Sequence, residues 1–314
     1  MLSRSITPFD CKNRMTDDSE LFDPRFLGRL RALFFKLRKR RKLRKKGSQS
    51  TPAAGFTREF KDHRHYTSGD DFRSIDWPLF ARLERIFIRI FEEVQEFHVH
   101  ILVDRSGSMA EPFPEKRVTA LRLAAALTYL GLANDHRVSL HALASGTERL
   151  LPPLKGQGSI HEVLRLLTTI EFGGATDLDA ALRQFRPTRD RRGIVFVLSD
   201  LLGNEPEVSE QALRHAISWP AETHVIHILD PREMRPQLDG ELLLLDVETH
   251  ETRRMWLTSR DLDRYEENFR RFADGIEAAC LRRQVDYLRW PVDQPFEEGF
   301  LALLMRGSAL AGKG

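Results

Sequence analysis

The sequence predicts an α/β protein: a Rossmann-like domain with a mostly parallel central sheet flanked by helices, preceded by an N-terminal helix and a small β-rich extension. Three observations carry this. From residue 98 onward, short apolar runs alternate with helical patterns, the order that builds a parallel sheet. The run I-V-F-V-L at Ile194–Leu198 is wholly apolar, as a strand covered on both faces must be. Before residue 98 the pattern is different, with alternating polar and apolar residues at Ile86, Ile88 and Ile90.

In chain order, residues 1–19 are polar and aperiodic and are expected to be disordered. Residues 20–54 hold a helix and a linker. Phe26, Leu27, Leu30, Leu33, Phe34 and Leu37 recur at helical spacing, with Asp23-Pro24 as the start signal. The helix runs into the basic stretch Arg38–Lys46, and G-S-Q-S-T-P-A-A-G follows as linker. Residues 55–97 form the β-rich extension. It has a strand near G-F-T-R-E-F-K-D-H-R-H-Y, a turn at Ser68–Asp71 that caps a short helix, a break near Trp77 imposed by Pro78, and a strand over Ile86–Phe97.

Residues 98–305 form the main domain. Strands are expected at His98–Val103, Arg137–Leu143, Ile194–Leu198, His224–Leu229 and Val285–Trp290. Helices are expected at Arg117–Ala133, Ser159–Ile170, Asp177–Phe185, Val208–Trp219, Asp261–Gln284 and Phe296–Leu304. A hairpin joins Glu241–Val247 to Thr252–Leu257, and residues 306–314 are a flexible tail.

Composition narrows the function classes. Charged residues are 30%, the hydrophobic set 41% and the net charge +3, values of an ordinary water-soluble chain. Cys11 and Cys280 match no metal spacing and build no disulfide framework, which fits a reducing compartment. No apolar window reaches the ~18 residues of a membrane span. A cytoplasmic location is expected.

The chemistry concentrates at strand ends. D-R-S-G-S follows the strand ending at Val103 and places Asp104, Ser106 and Ser108 at every second position. Thr176 follows the pair Gly173-Gly174 at a helix start, and Asp200 closes L-S-D after I-V-F-V-L. In an open α/β sheet, ligands bind beyond the carboxyl ends of the strands where strand order reverses. Two carboxylates and three hydroxyls gathered there suit a hard divalent cation, Mg²⁺ or Mn²⁺.

Alone, Asp104–Ser108 is equally well a turn with a hydroxyl cap. Thr176 and Asp200 in matching positions favour the metal cradle. A nucleophilic serine is disfavoured because no G-x-S-x-G elbow surrounds Ser106 or Ser108. A phosphoryl-accepting Asp104 is disfavoured because the second acid of a D-x-D pair is replaced by Ser106.

D-R-S-G-S, Thr176 and Asp200 together resemble the metal-ion-dependent adhesion site of von Willebrand factor type A (vWA) domains. A second resemblance lies in Y-T-S-G-D-D-F-R-S-I-D-W and A-R, Tyr66–Arg82, and continues through G-G-A-T-D-L, L-S-D, I-L-D-P-R-E and L-L-D-V-E-T. It is to the bacterial domain of unknown function 58 family, which contains vWA domains, and it covers about residues 55–305. Pro78 departs from that family's pattern.

The resemblance implies a protein-binding module acting with a MoxR-type AAA+ ATPase in assembly or maturation of a client complex. Asp104, Ser106, Ser108, Thr176 and Asp200 would hold the ion, and a partner's Glu or Asp would complete its shell. No G-x-x-x-x-G-K-[ST] is present, so nucleotide hydrolysis is assigned to the partner and the chain itself is not read as an enzyme.

Other features have plainer readings. Tyr66, Gly69, Asp70, Asp71, Arg73, Asp76, Trp77 and Arg82 read as architecture, with capping acids, a buried Trp77 and Arg82 paired to an acid. The alternative for this segment is a docking surface for the ATPase. His63/His65 and His98/His100 are H-x-H pairs without evident third and fourth zinc ligands, and are expected on polar faces. Arg38–Lys46 is eight cations in nine residues without interleaved aromatics. No specific nucleic acid is implied, and weak contact with an anionic membrane surface is a secondary reading. The competing functions are a metal-dependent phosphoester hydrolase and a nucleic-acid or membrane-surface adaptor using Arg38–Lys46.

Overall fold

The computed structural model describes residues 21–22, 25–33, 57–94, 97–174, 177–187, 193–202, 212–216, 218–238, 240–245 and 251–306. The expectations for residues 1–19, Asp23-Pro24, Arg38–Lys46, the 47–55 linker, Thr176 and the 307–314 tail fall outside these. The chain divides into two units, residues 1–44 with 97–313, and residues 45–96.

The smaller unit is an antiparallel pair, β1 (Thr57–His65) and β2 (Phe87–Val94), joined through a 3₁₀ turn at Phe72–Ser74 and helix α2 (Trp77–Leu83). Asp71 caps the turn by accepting the Arg73 N–H, and Asp76 caps α2 by accepting the Leu79 N–H. Pro78 lies in the first turn of α2, where its missing N–H costs nothing. The expected break therefore falls at Ile75-Asp76, ahead of the proline.

The larger unit is built on six strands: β3 (His98–Asp104), β4 (Arg137–Leu143), β5 (Thr147–Leu154), β6 (Gly193–Ser199), β7 (Ala221–Leu229) and β10 (Asp286–Pro291). Their order across the sheet is β10-β7-β6-β3-β4-β5. All neighbours are parallel except β4 and β5. The antiparallel edge strand β5 was not anticipated. It carries Pro152 and Pro153, which a sheet accepts only at an edge.

Period two sorts the central side chains onto two cores. Val99, Ile101 and Val103 of β3 pack on one face with helical residues 25–33 (α1), α3 (Glu115–Ala133), α4 (Ile160–Thr168) and α9 (Phe296–Arg306). Leu102, Val195 and Val197 pack on the other with α5 (Leu178–Gln184), helical residues 212–216 (α6) and α8 (Ser259–Leu281). Helix α3 is apolar on nearly every side, as its Ala/Leu composition requires of a helix buried all round. Phe26 of α1 meets Phe296 of α9, and Arg29 pairs with Glu297 at 2.7 Å.

After β7 the chain makes a one-turn helix, α7 (Pro231–Met234), absent from the sequence expectations, and the hairpin β8 (Gly240–Leu245) with β9 (Thr252–Leu257). Thr258 and Asp261 form a reciprocal capping box at the start of α8. Among the described residues, no helix is long and apolar enough to cross a membrane.

Candidate metal centre

The first strand of the larger unit, β3, lies between β4 and β6 at the centre of the sheet, and the chain winds outward from it in both directions. The gap beyond the carboxyl ends of β3 and β6 is the switch point where such sheets bind ligands. Asp104 ends β3, and Ser199-Asp200 ends β6 beside it.

The loop after Asp104 folds back on its own carboxylate. The Ser106 N–H donates to Asp104 Oδ1 at 2.9 Å, and the Ser106 and Ser108 hydroxyls lie 3.0 Å apart. Ser199 Oγ donates to Asp104 Oδ2 at 2.6 Å, fixing the second oxygen from the neighbouring strand. The 173–174 loop is stitched to the same place: Gly107 N–H donates to Gly174 O and Gly173 N–H to Arg105 O, each at 2.9 Å. Gly174 has φ 75, a left-handed conformation that a side chain disfavours. These two bonds bring Gly173-Gly174 to the site; Ala175 and Thr176 lie outside the described residues. Asp177 caps α5 by accepting the Ala180 N–H, so it acts as a helix-start acid.

Asp200 is completely buried, and both of its oxygens are engaged. Oδ1 accepts the Leu202 N–H at 3.1 Å, and Oδ2 accepts from Lys116 Nζ at 2.9 Å. Leu201, between the two, has φ 54, which is uncommon for a bulky residue. Its buried side chain and its N–H bond to Ser199 Oγ at 2.8 Å hold it there.

Lys116, 0% exposed, also donates to Glu233 of α7. Burial alone would lower its pKa, yet Asp200 and Glu233 outweigh burial and raise it, so the ammonium stays charged. The adjacent residues pair the other way round. Arg232 donates to Glu115 and to the buried Asp230, each at 2.7 Å, and lies 4.2 Å over the Phe113 ring. Glu115-Lys116 and Arg232-Glu233 thus cross-link the start of α3 to α7 with opposed charges.

Sequence reasoning missed Ser199, Lys116 and Glu233. Two signals pointed to them: the serine inside L-S-D, and a cation in the first turn of α3, where the helix dipole disfavours it. The acids of I-L-D-P-R-E were visible only as part of a family pattern.

The donor chemistry fits a hard cation. An octahedral Mg²⁺ with bonds of ~2.0–2.1 Å spaces neighbouring ligand oxygens about 3 Å apart, and the two serine hydroxyls stand at that separation. Burial pushes the Asp104 carboxyl up to about 6, and the charge on Asp200 adds to the rise against the lowering by Ser199 and Ser106. Two buried carboxylates sharing a small space with polar hydroxyls are an arrangement that a cation relieves.

A second group, Glu222, His224 and Asp286, gathers at the opposite end of the sheet. There Glu222 faces His224 Nε2 at 3.4 Å and Asp286 faces Nδ1 at 3.2 Å, the arrangement of an ion-paired imidazolium. Burial opposes that charge, and the two carboxylates still raise the His224 pKa.

The remaining expectations divide. In the signature segment, Asp70 accepts from Thr67 and Arg64, Asp71 and Asp76 act as caps, Gly69 has φ 107, and Arg73 lies 5.9 Å over the Phe72 ring. Trp77 is 59% exposed, which corrects the expected buried Trp, because α2 is short and its start faces solvent. Tyr66 and Arg82 are exposed, and Arg82 has no ion pair among the described residues. His98 and His100 are buried and stacked at 3.9 Å, correcting their expected polar-face position: strand β3 is covered on both sides. His63 bonds Asp76 at 2.8 Å, and His65 is exposed.

A doubly wound α/β domain with a buried cluster of oxygen-bearing side chains at its switch point defines the class. The chain belongs to the family described as "Protein of unknown function DUF58", whose model matches residues 62–273. It is 31% identical over 193 residues to uncharacterized proteins of Mycobacterium tuberculosis and Mycobacterium bovis. Those matches span 60% of this chain and 60% of the relatives' length. Similar solved structures include the conserved hypothetical protein BatB of Bacteroides thetaiotaomicron, 14% identical with TM-score 0.40, covering 68% of this chain and 98% of that one. A von Willebrand factor type A protein of Catenulispora acidiphila is 14% identical with TM-score 0.38, covering 68% and 43%. The manganese-loaded TRAP protein of Plasmodium vivax is 22% identical with TM-score 0.32, covering 42% and 57%.

Proposed function

We propose that this chain is a divalent-ion-dependent protein-binding module of the vWA type. The observation that supports it most is the convergence of the Asp104 carboxylate with the Ser106 and Ser108 hydroxyls at the switch point of the sheet. Asp104, Ser106 and Ser108 would hold Mg²⁺ or Mn²⁺ directly, with Thr176 as a further hydroxyl. Asp200, whose oxygens are bonded to Leu202 and Lys116, would act through water. When bound, the ion supplies a Lewis-acidic position for an outside carboxylate.

The chain's own residues do the rest. Ser199 and the Ser106 N–H orient Asp104, and Gly173-Gly174 are bonded to the Arg105–Gly107 loop. The partner is a Glu- or Asp-bearing protein, and a MoxR-type AAA+ ATPase or its client is the proposed one. Binding, without turnover, is the proposed activity.

The test is capture of a purified MoxR-type ATPase from the same genome on the immobilised full chain. Capture is expected in Mg²⁺ and is lost with EDTA or in Asp104→Ala, with folding retained by circular dichroism. Capture indifferent to both treatments overturns the metal-docking reading.

A further inference from the structure

We infer that Lys116 is the resident counter-cation of this centre: it holds Asp200 and Glu233, and so limits how much negative charge the site offers to a divalent ion. The inference rests on the metal-binding reading above and deepens it.

A fully buried lysine is costly unless paired, and this one is paired twice, to residues far away in sequence. It stands in the first turn of α3, where the helix dipole favours acids. Neither propensity nor packing asks for a cation there. The nearby Arg232 cannot replace it, being occupied by Asp230 and Glu115. The Ser106 N–H and the Ser199 hydroxyl, which donate to Asp104, are both neutral.

The division of labour follows from these pairings. Lys116, Asp200 and Glu233 together carry a single net negative charge, and Asp104 supplies the other. An ion held mainly by one carboxylate and neutral hydroxyls keeps most of its positive charge. It is then electrophilic enough to take a carboxylate from outside, which a fully neutralised ion would not be. Lys116 also ties α7 to Asp200, so the charge of the site and the position of that helix share one side chain.

The charge model orders three proteins by affinity for Mn²⁺ alone, read by electron paramagnetic resonance of the free ion. Lys116→Met removes a positive charge and tightens binding; Glu233→Gln removes a negative one and weakens it. Each step is expected to be roughly tenfold or more, since charges a few ångströms apart in a partly buried site interact strongly. Lys116→Met also melts lower than wild type in chelator and gains more in melting temperature on adding Mn²⁺.

A merely structural lysine gives a different pattern: both variants melt lower, and Mn²⁺ affinity is unchanged or falls in both. That result overturns the inference. If Lys116→Met does not fold, Glu233→Gln decides alone: weaker binding without a lower melting temperature in chelator supports the inference, and any other result overturns it. Asp104→Ala separates the two levels. If it leaves Mn²⁺ binding intact, the metal reading itself fails, and the inference with it. If it abolishes binding while the predicted order is absent, only the role of Lys116 falls.

Discussion

The carboxyl end of the large sheet and the signature segment of the small unit are both dense in acids, yet they use them in opposite ways. At the sheet end the bonds join residues far apart in sequence and out of water: Ser199 to Asp104 across 95 positions, Lys116 to Asp200 across 84, Lys116 to Glu233 across 117. In the signature segment, Asp70, Asp71 and Asp76 bond backbone groups two or three residues away, near solvent. Beside them, Phe72 and Trp77 are 66% and 59% exposed. The first arrangement makes a charged interior that must be satisfied as a whole. The second is made mainly of local caps, with His63 reaching Asp76 from 13 positions away. A conspicuous motif does not by itself mark a buried site.

That contrast can be broken by substitution. The largest effect is expected at Lys116. Lys116→Ala in chelator leaves the buried Asp200 and the half-buried Glu233 without their cation and should cost ~3–5 kcal/mol in urea unfolding. A loss under ~1 kcal/mol would put the sheet end on the same footing as the surface caps.

Acid should act next, through His100 and His141 in the larger unit. Burial lowers His100 to about 3 and His141 to about 4, from an ordinary 6.5. Both are neutral in the fold, so the unfolded chain binds more protons between pH 6.5 and those values. Stability is therefore full above pH 6.5 and falls as pH drops toward 4, by roughly 3 kcal/mol for each group at about 1.4 kcal/mol per unit. Urea midpoints that stay flat from pH 7 to pH 4 would refute the burial of the pair.

Ser199→Ala removes the hydroxyl that holds Asp104 and should cost about 1–3 kcal/mol. Trp77→Ala and Arg82→Ala should each change stability by less than about 0.5 kcal/mol, as exposed positions do. A cost above ~2 kcal/mol at Trp77 would restore the architectural role first read for it.

Much of the fold was legible because its signals are local. The apolar run of β6, the Ala/Leu composition of α3 and the Gly-Gly turn each depend on neighbours within a few residues. Strand β5 was hidden by Pro152-Pro153, which demote a run to non-strand unless one knows that it lies at an edge. Helix α7 is only one turn long, too short for periodicity to reveal.

The same division applies to the site. Asp104, Ser106, Ser108 and Asp200 announce themselves by following strands. Ser199 joins Asp104 only because β3 and β6 are neighbours in register, Val103 against Leu198, which no local pattern states. Lys116 and Glu233 meet only once α3 and α7 are packed. Trp77 was misread because a motif was taken to imply burial.

The central claim is that Asp104, Ser106 and Ser108 cradle a divalent ion, and Mn²⁺ binding by the full chain tests it most directly. Wild type is expected to bind one Mn²⁺ at this site. The double substitution Ser106→Ala with Ser108→Ala is expected to lose it, with an unchanged circular dichroism spectrum. Mn²⁺ bound by the double variant as tightly as by wild type would contradict the account.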